Sequence, residues 1–353
     1  MKTVYILGAG FSAPLGIPVV SNFLEKAKDL YFQDQEKYAE FAAVFQRLDE
    51  LAVAKNYFAT DLFNIEEILS LLEMRVSLRG ESSDNEQFKS FIASVIRGYT
   101  PEITAFREDD NSPGALLADK WRRYSRFSAM ALGHVWHLNR QNSSSSQWHF
   151  GDVRPFNDEV AVISLNYDLV LEFTSDALCS RNQRSPNQPL PNLVVANGNQ
   201  SLDSSFGRSL VKLHGCLKKG DIVPPTWNKH LSNPGIRNVW AKAHGLLTDA
   251  NHIRVLGYSL PEGDNYIKYL LRSAVADNKH LKSFDVVCLD RDGSVQTRYE
   301  RFVTFPKWRF KSGDITDYLD KCATWDEFRK AGSETPAAYS FMCRHDKHDE
   351  FFS

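Results

Sequence analysis

Val4-Tyr5-Ile6-Leu7-Gly8-Ala9-Gly10-Phe11-Ser12-Ala13-Pro14-Leu15-Gly16-Ile17-Pro18 decides how the chain folds. Val4 to Leu7 is a short β-branched and apolar run that stops at Gly8-Ala9-Gly10. A strand that runs into a glycine turn and then a helix opens a βα unit. In such a turn backbone amides can approach a phosphate, and the next helix N-terminus adds its dipole. Gly16 follows Gly10 by six residues instead of the three of G-x-G-x-x-G, and no acidic residue stands where a ribose partner belongs. That spacing disfavours a hydride-transferring dehydrogenase. For the loop alone, a plain turn between strand and helix is the other reading.

Outward from this unit the period becomes helical, from about Ser21 to Arg140. Apolar residues recur at helical steps in Tyr38, Phe41, Phe45, Leu48 and Ala52, in Ile65, Ile68, Leu69, Leu72 and Val76, and in Trp121, Tyr124, Ser128, Ala131 and Val135. Gln141-Asn142-Ser143-Ser144-Ser145-Ser146-Gln147 reads as a linker. Strands then return at Val160–Leu165, Leu210–Leu213, His252–Leu256 and Phe284–Leu289, with helices expected at Leu169–Leu178, Gly235–Asp249 and Gly263–Asn278. Alternating strand and helix predicts an α/β fold, a Rossmann-like, doubly wound parallel sheet with a large helical insertion. The expected units are 1–20 plus 151–345 as the α/β domain, 21–150 as the insertion and 346–353 as a tail.

Composition closes off other classes. The 353 residues are 42% hydrophobic and 24% charged, enough for a full core, which excludes disordered and fibrous readings. Lys and Arg number 42 against 44 Asp and Glu, so no basic excess points to a dedicated nucleic-acid binder. No apolar run approaches the ~18–20 residues of a membrane span, and the opening residues read as a strand rather than a signal peptide. A cytoplasmic protein is expected. Cys179, Cys216, Cys288, Cys322 and Cys343 are dispersed without a C-x-x-C pair, so no metal site is expected. His134 and His137 read as residues of an apolar helix. The stretch from Cys343 to Asp349 offers metal-capable groups without imposed geometry and reads as a solvated terminus.

In open parallel sheets ligands bind outside the carboxyl ends of the strands. Four expected strands here end in small or polar residues: Gly8-Ala9-Gly10, Asn166-Tyr167-Asp168, His214-Gly215 and Gly257-Tyr258-Ser259. Asn166 and Asp168 also suit the N-cap of the following helix. His214 also suits a satisfied core position.

Together these strand ends resemble the sirtuin-like family of NAD-dependent proteins. Gly8-Ala9-Gly10-Phe11-Ser12-Ala13-Pro14-Leu15-Gly16-Ile17-Pro18 is similar to the family's G-A-G-x-S-x-x-x-G-I-P phosphate loop. Ser164-Leu165-Asn166-Tyr167-Asp168 takes the place of T-x-N-x-D, and Leu213-His214-Gly215 that of the catalytic His-Gly. Gly257-Tyr258-Ser259-Leu260 resembles the G-x-S-L segment along the adenosine ribose. The resemblance covers 1–20 and about 155–290. It implies that Gly8, Ala9, Gly10, Phe11, Ser12, Gly16, Ile17, Pro18, Asn166, Tyr167, Asp168, Gly257, Tyr258, Ser259 and Leu260 bind NAD, and that Asn166 and His214 act in catalysis.

Departures sharpen the expectation. Val19-Val20-Ser21 replaces the Asp-Phe-Arg of the deacylases, and there are no cysteine pairs for their zinc module. The insertion, Asn166-Tyr167-Asp168, Pro224-Pro225-Thr226-Trp227 and the Gly257–Asp264 segment resemble bacterial sirtuin-like effectors of anti-phage defence, which hydrolyse NAD. The resemblance therefore implies an NAD+ glycohydrolase with NAD as substrate, gated by homo-oligomerisation or by a separately encoded partner such as a HerA-type ATPase or an Argonaute-like protein. A deacylase or ADP-ribosyltransferase, and a non-catalytic sensor of NAD or ADP-ribose, are the alternatives.

Overall fold

All of Val4, Tyr5, Ile6 and Leu7 are buried, which requires a strand covered on both faces. The computed structural model describes the chain except 59–63, 80–82, 102–105, 108–115, 118–119, 143–144, 154–158, 183–191, 196–206, 218–220, 223–233, 330–335 and 344. The Pro224–Trp227 motif and the centre of the serine-rich linker lie outside the described residues.

The chain runs through β1 (Lys2–Leu7), α1 (Ala9–Ser12), α2 (Phe23–Gln33), α3 (Phe41–Leu51), α4 (Ile65–Arg79), α5 (Ser83–Tyr99), β2 (Phe106–Arg107), β3 (Leu116–Leu117) and α6 (Trp121–Leu132). It continues through β4 (His134–Asn142), β5 (Ser145–Val153), β6 (Glu159–Ser164), α7 (Val170–Asn182), β7 (Asn192–Val195), β8 (Gly207–Lys212), β9 (Gly215–Cys216) and β10 (Asp221–Ile222). The last third adds α8 (Pro234–Thr248), β11 (His252–Leu256), α9 (Asn265–Asp277), β12 (Ser283–Cys288), α10 (Ser294–Phe302), β13 (Trp308–Ser312), α11 (Ile315–Cys322), β14 (Ala323–Arg329), β15 (Pro336–Cys343) and α12 (His345–Phe352).

Seven strands form one sheet in the order β13-β12-β11-β1-β6-β8-β7, and every pairing in it is parallel. From β1 the chain fills one side with β6, β7 and β8, then returns to place β11, β12 and β13 on the other. β1 is thus the topological switch point of a doubly wound sheet. Period-2 alternation sorts its side chains into two cores. Val4 and Ile6 join Trp240, Leu247, Ile267, Leu271 and Tyr299 of α8, α9 and α10. Tyr5 and Leu7 join the opposite cluster, built from α2 to α7 with α11 and α12.

The insertion shares that second cluster, so it is packed onto the sheet. Its aromatic residues form edge-on contacts, such as Phe41 on Phe91 at 4.7 Å and Tyr5 on Phe127 at 5.2 Å. Helix ends earlier than the periodicity predicts. Gly133 adopts φ +72 as a left-handed cap after Leu132, and 134–142 and 145–153 pair as antiparallel strands instead. Val135, His134 and His137 are therefore strand residues, and the described parts of the expected linker, 141–142 and 145–147, belong to these two strands. β4 pairs with β15, giving a second sheet of order β14-β15-β4-β5.

The C-terminus corrects the expectation of a solvated tail. Residues Tyr5, Arg254, Asp285 and Arg309 stand in register on four neighbouring strands and form a polar stripe. Arg254 donates to Tyr5 Oη at 2.9 Å, Arg309 Nε donates to Asp285 at 2.7 Å, and the stripe lies beneath α12. His348, 2% exposed, closes the stripe: its Nε2 lies 3.0 Å from Asp285 Oδ2 and its Nδ1 3.0 Å from Tyr318 Oη. A carboxylate can only accept and the tyrosine hydroxyl can donate, so this is a neutral imidazole protonated at Nε2. A buried polar row left uncovered by the last helix would be costly, which is why the tail docks.

Burial pushes the His348 pKa down from 6.5 to about 4, against the pull of Asp285. His252, which stacks on His345 at 4.6 Å, is also lowered to about 4, first by burial and then by His345 and Arg254. A base with a depressed folded pKa binds fewer protons than in the unfolded chain between the two values, so stability rises with pH across that window. Denaturation midpoints should accordingly fall as pH drops from 6.5 to 4, His348 accounting for up to about 3 kcal/mol. A His348→Phe variant should show a shallower slope; an identical slope by urea titration would contradict this assignment.

Candidate functional site

The four strand ends picked out by sequence lie side by side, because β11, β1, β6 and β8 are consecutive in the sheet. Backbone hydrogen bonds continue across them beyond the strands. Gly8 N donates to Leu256 O at 3.0 Å, Leu165 N to Leu7 O at 2.8 Å, and Leu213 N to Ser164 O at 3.0 Å.

The glycine loop is shaped by protein–protein contact. Gly10 N donates to Gly257 O at 2.8 Å, and a Cβ on Gly10 would stand 2.8 Å from that oxygen. On Gly8 a Cβ would come within 2.6 Å of Tyr258, and on Gly257 within 2.2 Å of Phe11 N. Gly257 also has φ +67, a region that favours glycine. Three amides of the loop, those of Gly8, Gly10 and Phe11, are thus spent on Leu256 O, Gly257 O and Gly8 O. Gly16, at φ +96, faces open space instead. Ile17 and Pro18 are buried, and Ala9 is half-buried at the start of α1.

Asn166 is 8% exposed and anchored from the loop side. Its Nδ2 donates to Gly8 O at 2.9 Å and lies 3.3 Å from Ser12 Oγ. Its Oδ1 accepts no hydrogen bond among the described residues. Asp168 caps α7, its Oδ1 accepting from Val170 N at 3.1 Å. Burial raises its pKa, opposed by Lys212 and by the Ser12 hydroxyl. The capping role weighed from sequence is thus met at Asp168.

His214 is 4% exposed, with Nδ1 2.9 Å from Leu165 O. A carbonyl only accepts, so Nδ1 carries the proton and Nε2 is the basic nitrogen of the neutral ring. The ring lies 6.0 Å from that of Tyr167. Burial raises the Tyr167 phenol, with Glu66 of α4 and Asp264 adding to it. On β11's side, Tyr258 donates to Asp264 Oδ2 at 2.7 Å, while Tyr299 and Arg298 donate to the carbonyls of Tyr258 and Ser259. Leu260 is fully buried at φ +50, a conformation costing an L-residue roughly 1–2 kcal/mol.

Two supports, Tyr124 and Lys212, were missed by sequence reasoning, and Ser12, expected in the phosphate loop, takes a bridging role that was not foreseen. Tyr124 of α6 donates to Phe11 O at 2.8 Å, tying the insertion to the glycine loop. Ser12 bridges Asn166 and Asp168. Lys212, one residue before the Leu213-His214-Gly215 motif, forms a 2.8 Å ion pair with Glu172. A lysine at the end of an apolar strand was the available signal for the last. Among the described residues no group of three or more His, Cys, Asp and Glu is placed to hold a metal ion. A cleft of about 380 Å³ lies between Leu169, Phe173 of α7 and Arg97 of α5.

No family model matches the chain, and no curated protein matches it. Among solved structures it is similar to Sir2 with a p53 peptide and NAD+, at 14% identity over 90% of each chain with a TM-score of 0.30. It is also similar to Sir2 with an inhibitor, 2′-O-acetyl-ADP-ribose and a deacetylated p53 peptide, at 13% identity over 90% of this chain and 91% of the other, TM-score 0.29. A third, from work on the mechanism and regulation of Sir2 enzymes, gives 12% identity, 91% and 90% coverage and a TM-score of 0.35. Similarity at this level carries no argument about activity, which must rest on the site itself.

The glycine geometry separates two substitutions. Gly257→Ala forces a carbon to within 2.2 Å of Phe11 N and should lower the thermal midpoint steeply or prevent folding. Gly16→Ala meets open space and carries only the positive-φ cost of about 1–2 kcal/mol. Equal melting shifts for the two would refute the interlocked-loop account.

Proposed function

We propose that this chain is a sirtuin-like NAD+ glycohydrolase that releases nicotinamide and ADP-ribose. The observation that carries the reading is the convergence of Asn166 and His214 on neighbouring strand ends at the sheet's switch point, beside the glycine loop. Its support is chemical. The nicotinamide of NAD+ leaves as a neutral pyridine, so the reaction needs little help from a general acid. It needs a held ribose, stabilisation of an oxocarbenium-like transition state and a placed nucleophile.

The residues present fit those needs. Asn166 offers an Oδ1 that has no donor among the described residues and whose position is fixed through Nδ2, suited to water or a ribose hydroxyl. His214 is the candidate base, with its ring orientation set by Leu165 O. In this reading the pyrophosphate lies along Gly8–Pro18, where the side of Gly16 is open, and a ribose lies along Gly257–Leu260. The amides already bonded within the loop place the burden of phosphate contact on its remaining groups.

The finer reading is an effector of anti-phage defence, acting by NAD depletion and gated by self-assembly or a separately encoded partner. Among the described residues, aromatics of the insertion such as Phe41, Phe88 and Phe91 are buried in the core it shares with the sheet, yet Phe32, Tyr57 and Phe58 are 71%, 75% and 75% exposed. Aromatic residues at the surface support an interface on this block. Light scattering should find an oligomer, and a monomer fully active alone would overturn the gating.

Purified protein should release nicotinamide from NAD+ without any acylated peptide. His214→Ala and Asn166→Ala should each lower that rate at least ~10²-fold with the fold retained. Release only with an acylated peptide would favour a deacylase, and no turnover under either condition would favour a sensor. Near-wild-type turnover in either variant would sink the catalytic assignment.

A further inference from the structure

Behind the strand ends sits a buried cation with all its donors committed. The Lys212 ammonium is 2% exposed and its partner Glu172 6%. Lys212 Nζ donates to Glu172 Oε1 at 2.8 Å, to Tyr167 O at 3.3 Å and to Asp168 O. An ammonium has three protons, and here they meet three acceptors. Glu172 Oε1 also accepts from Cys216 Sγ at 3.4 Å, and Leu217 N donates to Tyr167 O at 3.3 Å.

Chain connectivity gives this cluster its meaning. Tyr167 and Asp168 directly follow Asn166, Lys212 precedes His214 by two residues, and Cys216 follows it by two. Glu172 lies in the first turn of α7. One ion pair therefore joins both segments that carry the polar groups of the site to the helix behind them. Burying an ion pair seldom adds stability over an apolar pair of equal volume, so stability alone does not account for it. What a fixed charge with three directed bonds does supply is position, and a misplacement near 1 Å can cost about 10²-fold in rate.

We propose that the Lys212–Glu172 pair is a positioning device that sets Asn166 and His214 relative to each other. The proposal rests on the glycohydrolase reading for its kinetic readout. Neither residue touches the substrate; Lys212 acts through the carbonyls of Tyr167 and Asp168, and Glu172 through Lys212 and Cys216.

The test removes both charges together in the full chain, as Lys212→Met with Glu172→Leu. With the pair gone and the volume kept, the thermal midpoint should stay within a few degrees of wild type. The kcat for nicotinamide release should fall at least about tenfold while KM for NAD+ changes less than about threefold. A folded double variant with wild-type kcat overturns the proposal, as does a loss confined to KM. Amide hydrogen exchange in Glu172→Gln provides an arm independent of turnover and of the double variant's folding. Exchange should quicken at 165–169 and 213–217 with β1 and β11 unchanged, and unaltered exchange in those two segments overturns the proposal. If wild-type protein fails to cleave NAD+, the glycohydrolase reading falls, and the exchange result alone still decides whether the pair positions these segments.

Discussion

Between Gly10 and Gly257 there is no space for a side chain on either residue, and this forced intimacy of two loops sets the geometry of everything around it. The loops after β1 and β11 share the Gly10 N to Gly257 O bond, and Gly257 N is itself held by Val287 O at 2.8 Å. Gly8 O, fixed by this contact, is the acceptor that orients Asn166. Phe11 O is the acceptor for Tyr124, through which the insertion leans on the same loop. A larger residue at either glycine would move the anchor of Asn166 and the seat of α6 together. The glycines serve first to let two strands end close together, and any ligand meets a floor already assembled.

Much of this was legible because periodicity and punctuation agree along the α/β portion. The apolar run from Val4 to Leu7, the His252–Leu256 strand and the helix beginning after Asp264 each start or stop at a residue with a reason to be there. β7 and β13, the two edge strands, were not expected: β7 is only four residues long, and β13 mixes charged with aromatic residues at half-buried positions. The antiparallel strands after Leu132 were misread as helix and linker, because apolar spacing persists through Val135 and polar residues follow. There Gly133 was the decisive mark.

Side-chain partners across distant strands were the least legible part. Arg254 and Asp285, with the half-buried Arg309 beside them, are strand residues whose charge would argue against burial if each were read alone. Only the register that sets them side by side, with His348 closing the row, makes their burial tolerable. The C-terminal helix is thus a polar lid on a polar stripe. Its histidines and carboxylates, read from sequence as an unstructured metal-capable tail, are consumed in holding it down.

Charge in this fold is kept one layer away from the edge where the site sits. At the edge stand Asn166, neutral by nature, and His214, whose Nδ1 is committed to a carbonyl. Beneath lie Asp168, Glu172 and Lys212, all buried and joined to one another through backbone carbonyls and direct bonds. Burial, with Glu172 adding to it, raises the Asp168 pKa and Lys212 opposes it, so the cation and the carboxylates must be placed as a group. Such an arrangement suits a reaction whose leaving group departs without a proton: strong acids at the edge would be idle, whereas fixed positions are not. On the proposed reading the buried charges act by geometry. Removing one partner leaves an uncompensated ion, whereas removing the pair takes both charges away and releases the carbonyls of Tyr167 and Asp168 that Lys212 held.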